Sequence, residues 1–256
     1  MDRSHAPTAT VPVAIVTGGA KGIGRGCALA LAEKGFDLVL VDLLDEEMAR
    51  TRGEIEALGR NCLTYQADVA DFARAQEVAA DVLDRTGRID FLLNNAGRAM
   101  PKGLLDITEE EWDRTIAINL KSCFNWCRAV VPAMQAQGAG RIASMSSINA
   151  YSGGVTSAVS RFAYAAAKAG ILGLTRSLAK ELGPAITVNA ICPGLIKTET
   201  PNAVIRAREA ELVTGIVLNR VGTPQDVAQL VVFLATVEPN FITGQDFVID
   251  GFQWTL

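Results

Sequence analysis

Val13-Ala14-Ile15-Val16-Thr17-Gly18-Gly19-Ala20-Lys21-Gly22-Ile23-Gly24 decides the fold. Val13 to Thr17 is a short, β-branched run stopped by glycines, the pattern of a buried strand. The residues from Arg25 to Lys34 then carry a helical pattern. A strand, a glycine-rich turn and a helix N-terminus together make a cradle for phosphate. Free amide N–H groups and the positive end of the helix point at the anion, and glycine lets the backbone approach it closely. The glycines are spaced Gly-x3-Gly-x-Gly rather than Gly-x-Gly-x-x-Gly. Taken alone, the same residues also fit ordinary turn chemistry.

Working outward, Asp37 to Val41 is a second strand that ends at Asp42. An acid about 20 residues beyond such a turn is placed to accept from the hydroxyls of an adenosine ribose and to repel a 2′-phosphate. Two other readings stand beside this one. Asp42 could cap the next helix, whose first turn Asp45-Glu46-Glu47 is acidic, although Asp45 is better placed for that cap. Lys21 is a cation near the cradle that could greet a 2′-phosphate, acting alone because Leu43 offers no guanidinium.

The alternation continues. Cys62 to Ala67 is a strand with Asp68-Val69 at its end, Asp71 to Thr86 a helix ended by Gly87, and Ile89 to Leu93 a strand ended by Asn94-Asn95-Ala96-Gly97. Thr108 to Gln137 reads as a long helical stretch, one main helix from Glu109, with Pro132 as the candidate place for a break. Arg141 to Ser146 is a strand, Phe162 to Leu182 a helix, and Ala185 to Ile191 a strand ended by Cys192-Pro193-Gly194. Repeated strand–helix units predict an α/β, doubly wound parallel sheet of Rossmann-like form, with helices on both faces in three layers. No internal repeat or Pro/Gly-rich linker divides the chain. The expected organisation is a disordered lead-in over 1–10 and a single dinucleotide-binding and catalytic domain over 11–256.

Composition excludes several classes. The net charge of the 256-residue chain is −4, which does not suggest a nucleic-acid or membrane surface. No apolar run approaches the roughly 20 residues of a membrane span. Cys27, Cys62, Cys123, Cys127 and Cys192 are scattered and odd in number, as expected of reduced thiols in a cytoplasm. Cys123 and Cys127 share a helix face, but the sole histidine is His5, so buried thiols are expected rather than a metal site. The same shortage of histidine excludes a Ser-His-Asp triad.

Acid–base work therefore falls to another residue type, and Tyr164-Ala165-Ala166-Ala167-Lys168 supplies it. Residues four apart on a helix share a face. An ammonium beside a phenol favours the phenolate, which suits a tyrosine to proton exchange. The other tyrosines, Tyr65 and Tyr151, have valine at the fourth position after them.

With these marks in order, the chain resembles the short-chain dehydrogenase/reductase family from about Val11 to Gly251. The resemblance rests on Thr17 to Gly24, Asp68-Val69, Asn94-Asn95-Ala96-Gly97, Asn119, Ser146-Ser147, Tyr164 to Lys168 and Pro193-Gly194-Leu195-Ile196-Lys197-Thr198. It implies a catalytic set of Asn119, Ser147, Tyr164 and Lys168. Tyr164 would exchange the proton, Lys168 would assist it and bind the nicotinamide ribose, Ser147 would hold the substrate oxygen, and Asn119 would anchor a water leading to Lys168. Ser144 and Ser146 are the rivals to Ser147. The resemblance also implies a cofactor set: Gly18, Lys21, Gly22, Ile23 and Gly24 at the phosphates, Asp42 and Leu43 at the ribose, and Asp68 and Val69 at the adenine. Asn95, Ala96 and Gly97 would lie beside the adenosine ribose, with Pro193, Gly194, Ile196 and Thr198 on the nicotinamide side. Asp42 matches the pattern that prefers NAD to NADP. The family's usual assembly is a homotetramer.

The implied activity is NAD-dependent interconversion of a secondary alcohol (a polyol, sugar or other hydroxy compound) and its ketone. A 3-oxoacyl-[acyl-carrier-protein] reductase is the alternative, and a non-catalytic dinucleotide sensor a remote one. Three departures from the family pattern stand out: a Ser147–Tyr164 segment longer by about four residues, Phe252 where a second glycine is usual, and an aromatic tail from Phe252 to Leu256 that could cover a site or a subunit contact. The substrate is expected to be read by the Arg98–Gly103 loop, the Ile148–Phe162 segment and the region Glu199–Arg220.

Overall fold

The computed structural model describes residues 11–154, 160–199 and 209–253. The expected lead-in over 1–10, part of the long Ser147–Tyr164 segment, residues 200–208 of the expected substrate region and the end of the aromatic tail lie outside them.

The strands are β1 (Val13–Thr17), β2 (Asp37–Asp42), β3 (Cys62–Gln66), β4 (Phe91–Asn94), β5 (Gly140–Met145), β6 (Ile186–Pro193) and β7 (Asp246–Ile249). They form one seven-stranded sheet in the order β3-β2-β1-β4-β5-β6-β7, and every pairing is parallel. All five residues of β1 are buried, as expected where helices cover both faces. Successive side chains of a strand leave opposite faces. Ala14, Val16, Leu38 and Leu40 accordingly pack with α1 (Gly22–Glu33), α2 (Asp45–Ala57) and a helix that the sequence reading did not name, α8 (Pro224–Thr236). Val13, Ile15, Val39 and Val41 pack the other way, with α3 (Phe72–Thr86), α5 (Ser122–Gln137) and the end of α7 (Phe162–Leu182). The three-layer α/β architecture follows from that alternation. Among the described residues no helix is long and apolar enough to cross a membrane.

Two expectations need correction. The helical stretch does not break at Pro132, which sits inside α5. It changes register earlier, between α4 (Glu109–Ile116) and α5, in a π-helical turn over Ala117–Lys121. The cause lies in Asn119, whose Nδ2 donates to the Thr115 carbonyl at 3.0 Å and so enters the helix's own hydrogen-bond ladder. Asp45 is not the cap of α2. Leu44 holds that position without a side-chain bond, and Asp45 is the first helical residue.

β1 is flanked by β2 on one side and β4 on the other. The chain's winding reverses there, which opens a crevice at the carboxyl ends of β1 and β4. The residues at those ends are Thr17-Gly18 and Asn94-Asn95.

Candidate active site

The floor of the crevice is stitched by short polar bonds. Thr17 Oγ1 accepts from the amides of Asn95 and Ala96 at 3.0 and 3.1 Å. Asn95 Nδ2 donates to the carbonyls of Thr17 and Gly18, each at 3.0 Å. The backbone of Gly18 has φ +65°, and a Cβ there would lie 2.8 Å from Asn95 Nδ2. A Cβ on Gly24 would lie 2.0 Å from the Gly18 carbonyl oxygen, so the turn and the start of α1 touch backbone to backbone. α1 begins after Lys21, whose side chain does not cap it; of the first amides, that of Gly22 donates to Glu199 at 3.4 Å. A pyrophosphate fits this cradle: donors at a helix N-terminus, beside a turn so closely packed that a side chain at Gly24 would meet its own backbone and one at Gly18 would meet Asn95 and Ala96.

Asp42 has a fixed place. Its carboxylate accepts from the amides of Ala20, Leu43 and Leu44 at 3.1, 2.8 and 3.2 Å. It thus ties the end of β2 to the glycine turn, rather than capping α2. A carboxylate has about four lone-pair sites, so three amides leave acceptor capacity for a ribose hydroxyl. Asp68 accepts from the Ala70 amide at 2.9 Å and from Arg114 at 2.6 Å. Burial opposes its charge, but these donors outweigh burial and hold the carboxyl below its ordinary range. Val69 is buried, and its carbonyl accepts from Asn125 Nδ2.

Across the crevice, α7 runs over Phe162–Leu182, as the sequence reading has it. Tyr164 and Lys168 share a face, with the Lys168 Nζ 5.5 Å from the Tyr164 ring centroid. Lys168 is buried at 3% exposure, and its Nζ donates to the Met145 carbonyl at 2.6 Å. Burying a cation is tolerated only where partners replace water. Asn119 is fully buried: its Oδ1 accepts from the Arg98 amide and its Nδ2 donates to the Arg98 carbonyl, both at 3.0 Å. A Cβ on Gly97 would fall 2.9 Å from Asn119 Oδ1 and 3.4 Å from Lys168 Nζ, so glycine keeps open the space between the two.

The rival serines are engaged elsewhere. Ser146 Oγ donates to the Lys168 carbonyl at 2.8 Å, and Ser144 Oγ accepts from Asn94; both serines are buried. Ser147 is half-buried, and its Oγ accepts from the Asn149 amide at 3.2 Å. Tyr65 is also a poor rival to Tyr164, since burial and its bond to Asp81 push its phenol up to about 12. All five cysteines are free and buried, and burial pushes Cys192, behind Ser146, up to about 11.

On the far rim, Ile196 pairs with Gly222 in an isolated bridge, and Thr198 Cγ2 would lie 3.3 Å from a Cβ on Gly22. The Gly194 amide donates to the Ile249 carbonyl at 3.0 Å. Lys21 is half-buried.

Three contributors escaped the sequence reading. Thr17, quoted there as the start of the glycine-rich motif but given no role, is the hub of the crevice floor. Met145 acts through its carbonyl, which no residue pattern reports. Glu199 accepts from the Gly22 amide at 3.4 Å and from Arg25 at 2.9 Å, a contact across 177 residues of chain that no local pattern foretells.

A family model described as enoyl-(acyl carrier protein) reductase matches residues 18–251. Oxidoreductase UcpA of Salmonella typhimurium is 39% identical over 251 residues, spanning 94% of this chain and 94% of that protein. The 3-oxoacyl-[acyl-carrier-protein] reductase FabG of Thermotoga maritima is 39% identical over 241 residues, spanning 93% and 96%. Among solved structures, carveol dehydrogenase from Mycobacterium avium in complex with NAD superposes with a TM-score of 0.88 at 28% identity, covering 94% of this chain and 97% of that one.

Proposed function

The chain belongs to the short-chain dehydrogenase/reductase family of NAD(P)-binding oxidoreductases and is an enzyme acting on CH–OH groups, and on that premise we propose that it interconverts a secondary alcohol and its ketone with NAD. The observation that carries this reading is the pair Tyr164 and Lys168, on one face of α7, with the Lys168 ammonium buried and fixed on the Met145 carbonyl. With that cation beside its ring, Tyr164 takes the proton of the alcohol or returns it to the ketone. Ser147 holds the same oxygen in place. Asn119, clamped by Arg98, orders a water toward Lys168 across the space that Gly97 leaves open. The bound nicotinamide supplies the hydride acceptor or donor.

Cofactor binding falls to the crevice. The amides of Ile23 and Gly24 meet the pyrophosphate, with Gly18, Lys21 and Gly22 beside it. Asp68 and Val69 lie at the adenine, and Asn95, Ala96 and Gly97 at the adenosine ribose. Pro193, Gly194, Ile196 and Thr198 border the nicotinamide. NAD is preferred to NADP because Asp42 is a fixed carboxylate where a 2′-phosphate would fall and Leu43 brings no compensating cation. The resemblance to a carveol dehydrogenase that holds NAD supports the same choice. The family's usual homotetramer, the single domain over 11–256 and a cytoplasmic setting complete the reading. Phe72 and Phe124, stacked at 5.9 Å and exposed on α3 and α5, support a partner surface there.

A second reading has specific support: FabG is as similar as UcpA, so the ketone could be a 3-oxoacyl thioester. The test is a panel of polyols, sugars, secondary alcohols and 3-oxoacyl thioesters, read by NADH and NADPH absorbance. Turnover of an alcohol with NAD is expected. Turnover of thioesters alone, with NADPH, would move the enzyme to the second reading.

A further inference from the structure

Eleven of the fourteen arginines among the described residues have a carboxylate within 4.0 Å. The exceptions are Arg98, Arg128 and Arg161, and two of these three border the candidate active site. Arg98 directly follows the Asn95-Ala96-Gly97 floor, and its own amide and carbonyl are both held by the buried Asn119. Arg161 is the residue that precedes α7, three positions before Tyr164. Its amide donates to the Met100 carbonyl at 2.8 Å, which joins the start of α7 to the loop that Arg98 begins. Its Nη1 packs where a Cβ on Gly103 would come within 3.0 Å.

Both arginines are exposed. Among the described residues no carboxylate closes to ion-pair distance on either, although Asp106 Oδ2 lies within about 6 Å of the Arg161 Nη1, since they are 3.2 and 3.0 Å from the same point, a Cβ on Gly103. Lys102 is taken by Glu111 at 2.5 Å, and Asp106, whose Oδ2 also borders Gly103, makes no ion pair with Arg161. In a chain of net charge −4, two unpaired guanidiniums on the rim of a catalytic crevice are a local positive field. Guanidiniums suit planar or tetrahedral oxyanions because they donate in a fixed fork.

We propose that Arg98 and Arg161 read a negative charge on the substrate, so that the alcohol oxidised is a hydroxy acid or a phosphorylated hydroxy compound. This rests on the oxidoreductase reading of the same site and narrows it. The alcohol carbon sits at Tyr164 and Ser147, and the anion lies toward the rim. The two residues set specificity and take no part in proton or hydride transfer.

The test uses fluorescence titration of the NADH-loaded enzyme in a Tyr164→Phe background, so that the bound ketone is not reduced during the measurement. 3-Oxobutanoate, 4-oxopentanoate and 5-oxohexanoate are compared with their methyl esters, so that charge is varied at matched shape and the spacing from carbonyl to charge is scanned. Hydroxyacetone phosphate against hydroxyacetone separates a phosphate from a carboxylate reader. At least one anion should bind about tenfold or more tightly than its neutral partner, the size of one charge-assisted hydrogen bond. Arg98→Gln and Arg161→Gln should each weaken that preference, and the double variant should bring the ratio to about one, with NADH affinity unchanged. Equal binding of anions and neutral partners throughout, or a preference that survives in the double variant, overturns the proposal. NADH binding without an anion preference sinks this assignment alone, whereas failure to bind NADH sinks the oxidoreductase reading with it.

Discussion

The two sides of the crevice are built by different means. At the ends of β1 and β2, the contacts all involve the backbone: Gly24 against the Gly18 carbonyl, the short Asn95 side chain on the Thr17 and Gly18 carbonyls, and the Asp42 carboxylate on three amides. Little there depends on which side chain is long or charged, only on which residues have no side chain or a short polar one. At the ends of β4, β5 and β6, the rim is loop and the one-turn helix α6 (Asn149–Ser152), with Leu104, Leu105 and Leu218 exposed at 73%, 97% and 63%. There the identity of each side chain matters and its contacts are few. A cofactor common to a whole family is met by the first kind of surface, and a substrate particular to one enzyme by the second.

The sharpest break between the two sides should come from Tyr164→Phe. The ring and its packing stay, and only the proton-exchanging hydroxyl goes. kcat should fall by about 10²–10⁴-fold, while NAD affinity, measured by titration, stays where it was. A loss of NAD binding in step with kcat would mean that Tyr164 belongs to the cofactor side. A fall of less than about tenfold would remove it from the proton step.

On the cofactor side, two glycines should respond with opposite signs. Gly24→Ala forces a methyl to 2.0 Å from a backbone oxygen, so the turn must shift, at a cost of about 1–3 kcal/mol and with weakened NAD binding. Gly53, exposed within α2, has nothing within 4 Å of an added Cβ, and Gly53→Ala should stabilise by about 0.4–1 kcal/mol. Denaturant midpoints for both variants decide the matter. Equal effects would show that the tightness of the turn is not what demands glycine.

The same asymmetry explains what was legible in the sequence. β1, the turn, β2 and α7 were readable because apolar period, glycine placement and i,i+4 spacing are local, and local sterics impose them. Asn119 was singled out, but the π-helical turn it creates was not, since the bond to Thr115 competes with a helix that the surrounding residues otherwise favour. Pro132 misled for the converse reason: a proline lacks one donor, yet packing of Val130, Ala133 and Met134 in the core carries the helix through it. Glu199 on Gly22, and Arg161 against Gly103, join segments far apart in the chain, and neither pairing has a sequence period.

Asp42 tests whether one residue can serve both structure and selection. Asp42→Ala removes a carboxylate from three amides, so the β2–turn junction should loosen and Tm should drop. It also removes a like charge from the position of a 2′-phosphate. The kcat/KM preference for NAD over NADP should therefore shrink by about tenfold or more. A lowered Tm with an unchanged cofactor ratio would leave Asp42 with the structural task alone, and Lys21 would gain weight as the reader of the phosphate.

The smallest effect concerns where the rim is anchored. Arg220 grips Asp226 through two bonds of 2.7 Å, and Asp226 completes a capping box with Thr223 at the start of α8. Thus the segment that bridges Ile196 through Gly222 is fastened to a helix of the cofactor side. The Arg220 bond is the main influence on Asp226; partial burial opposes it, the Thr223 donors add to it, and the carboxyl is held far below its ordinary range. A group whose folded pKa is depressed contributes stability above its unfolded pKa of about 3.9 and loses that contribution as pH falls toward the folded value. Asp226→Asn should therefore be less stable than the wild type at pH 7, by about 1 kcal/mol or less because the pair is partly exposed. The two proteins should converge on acidification below about pH 4. Denaturant midpoints at both pH values check the sign. A gap that persists unchanged into acid would mean that the cap's shape, and not its charge, fastens the rim to α8.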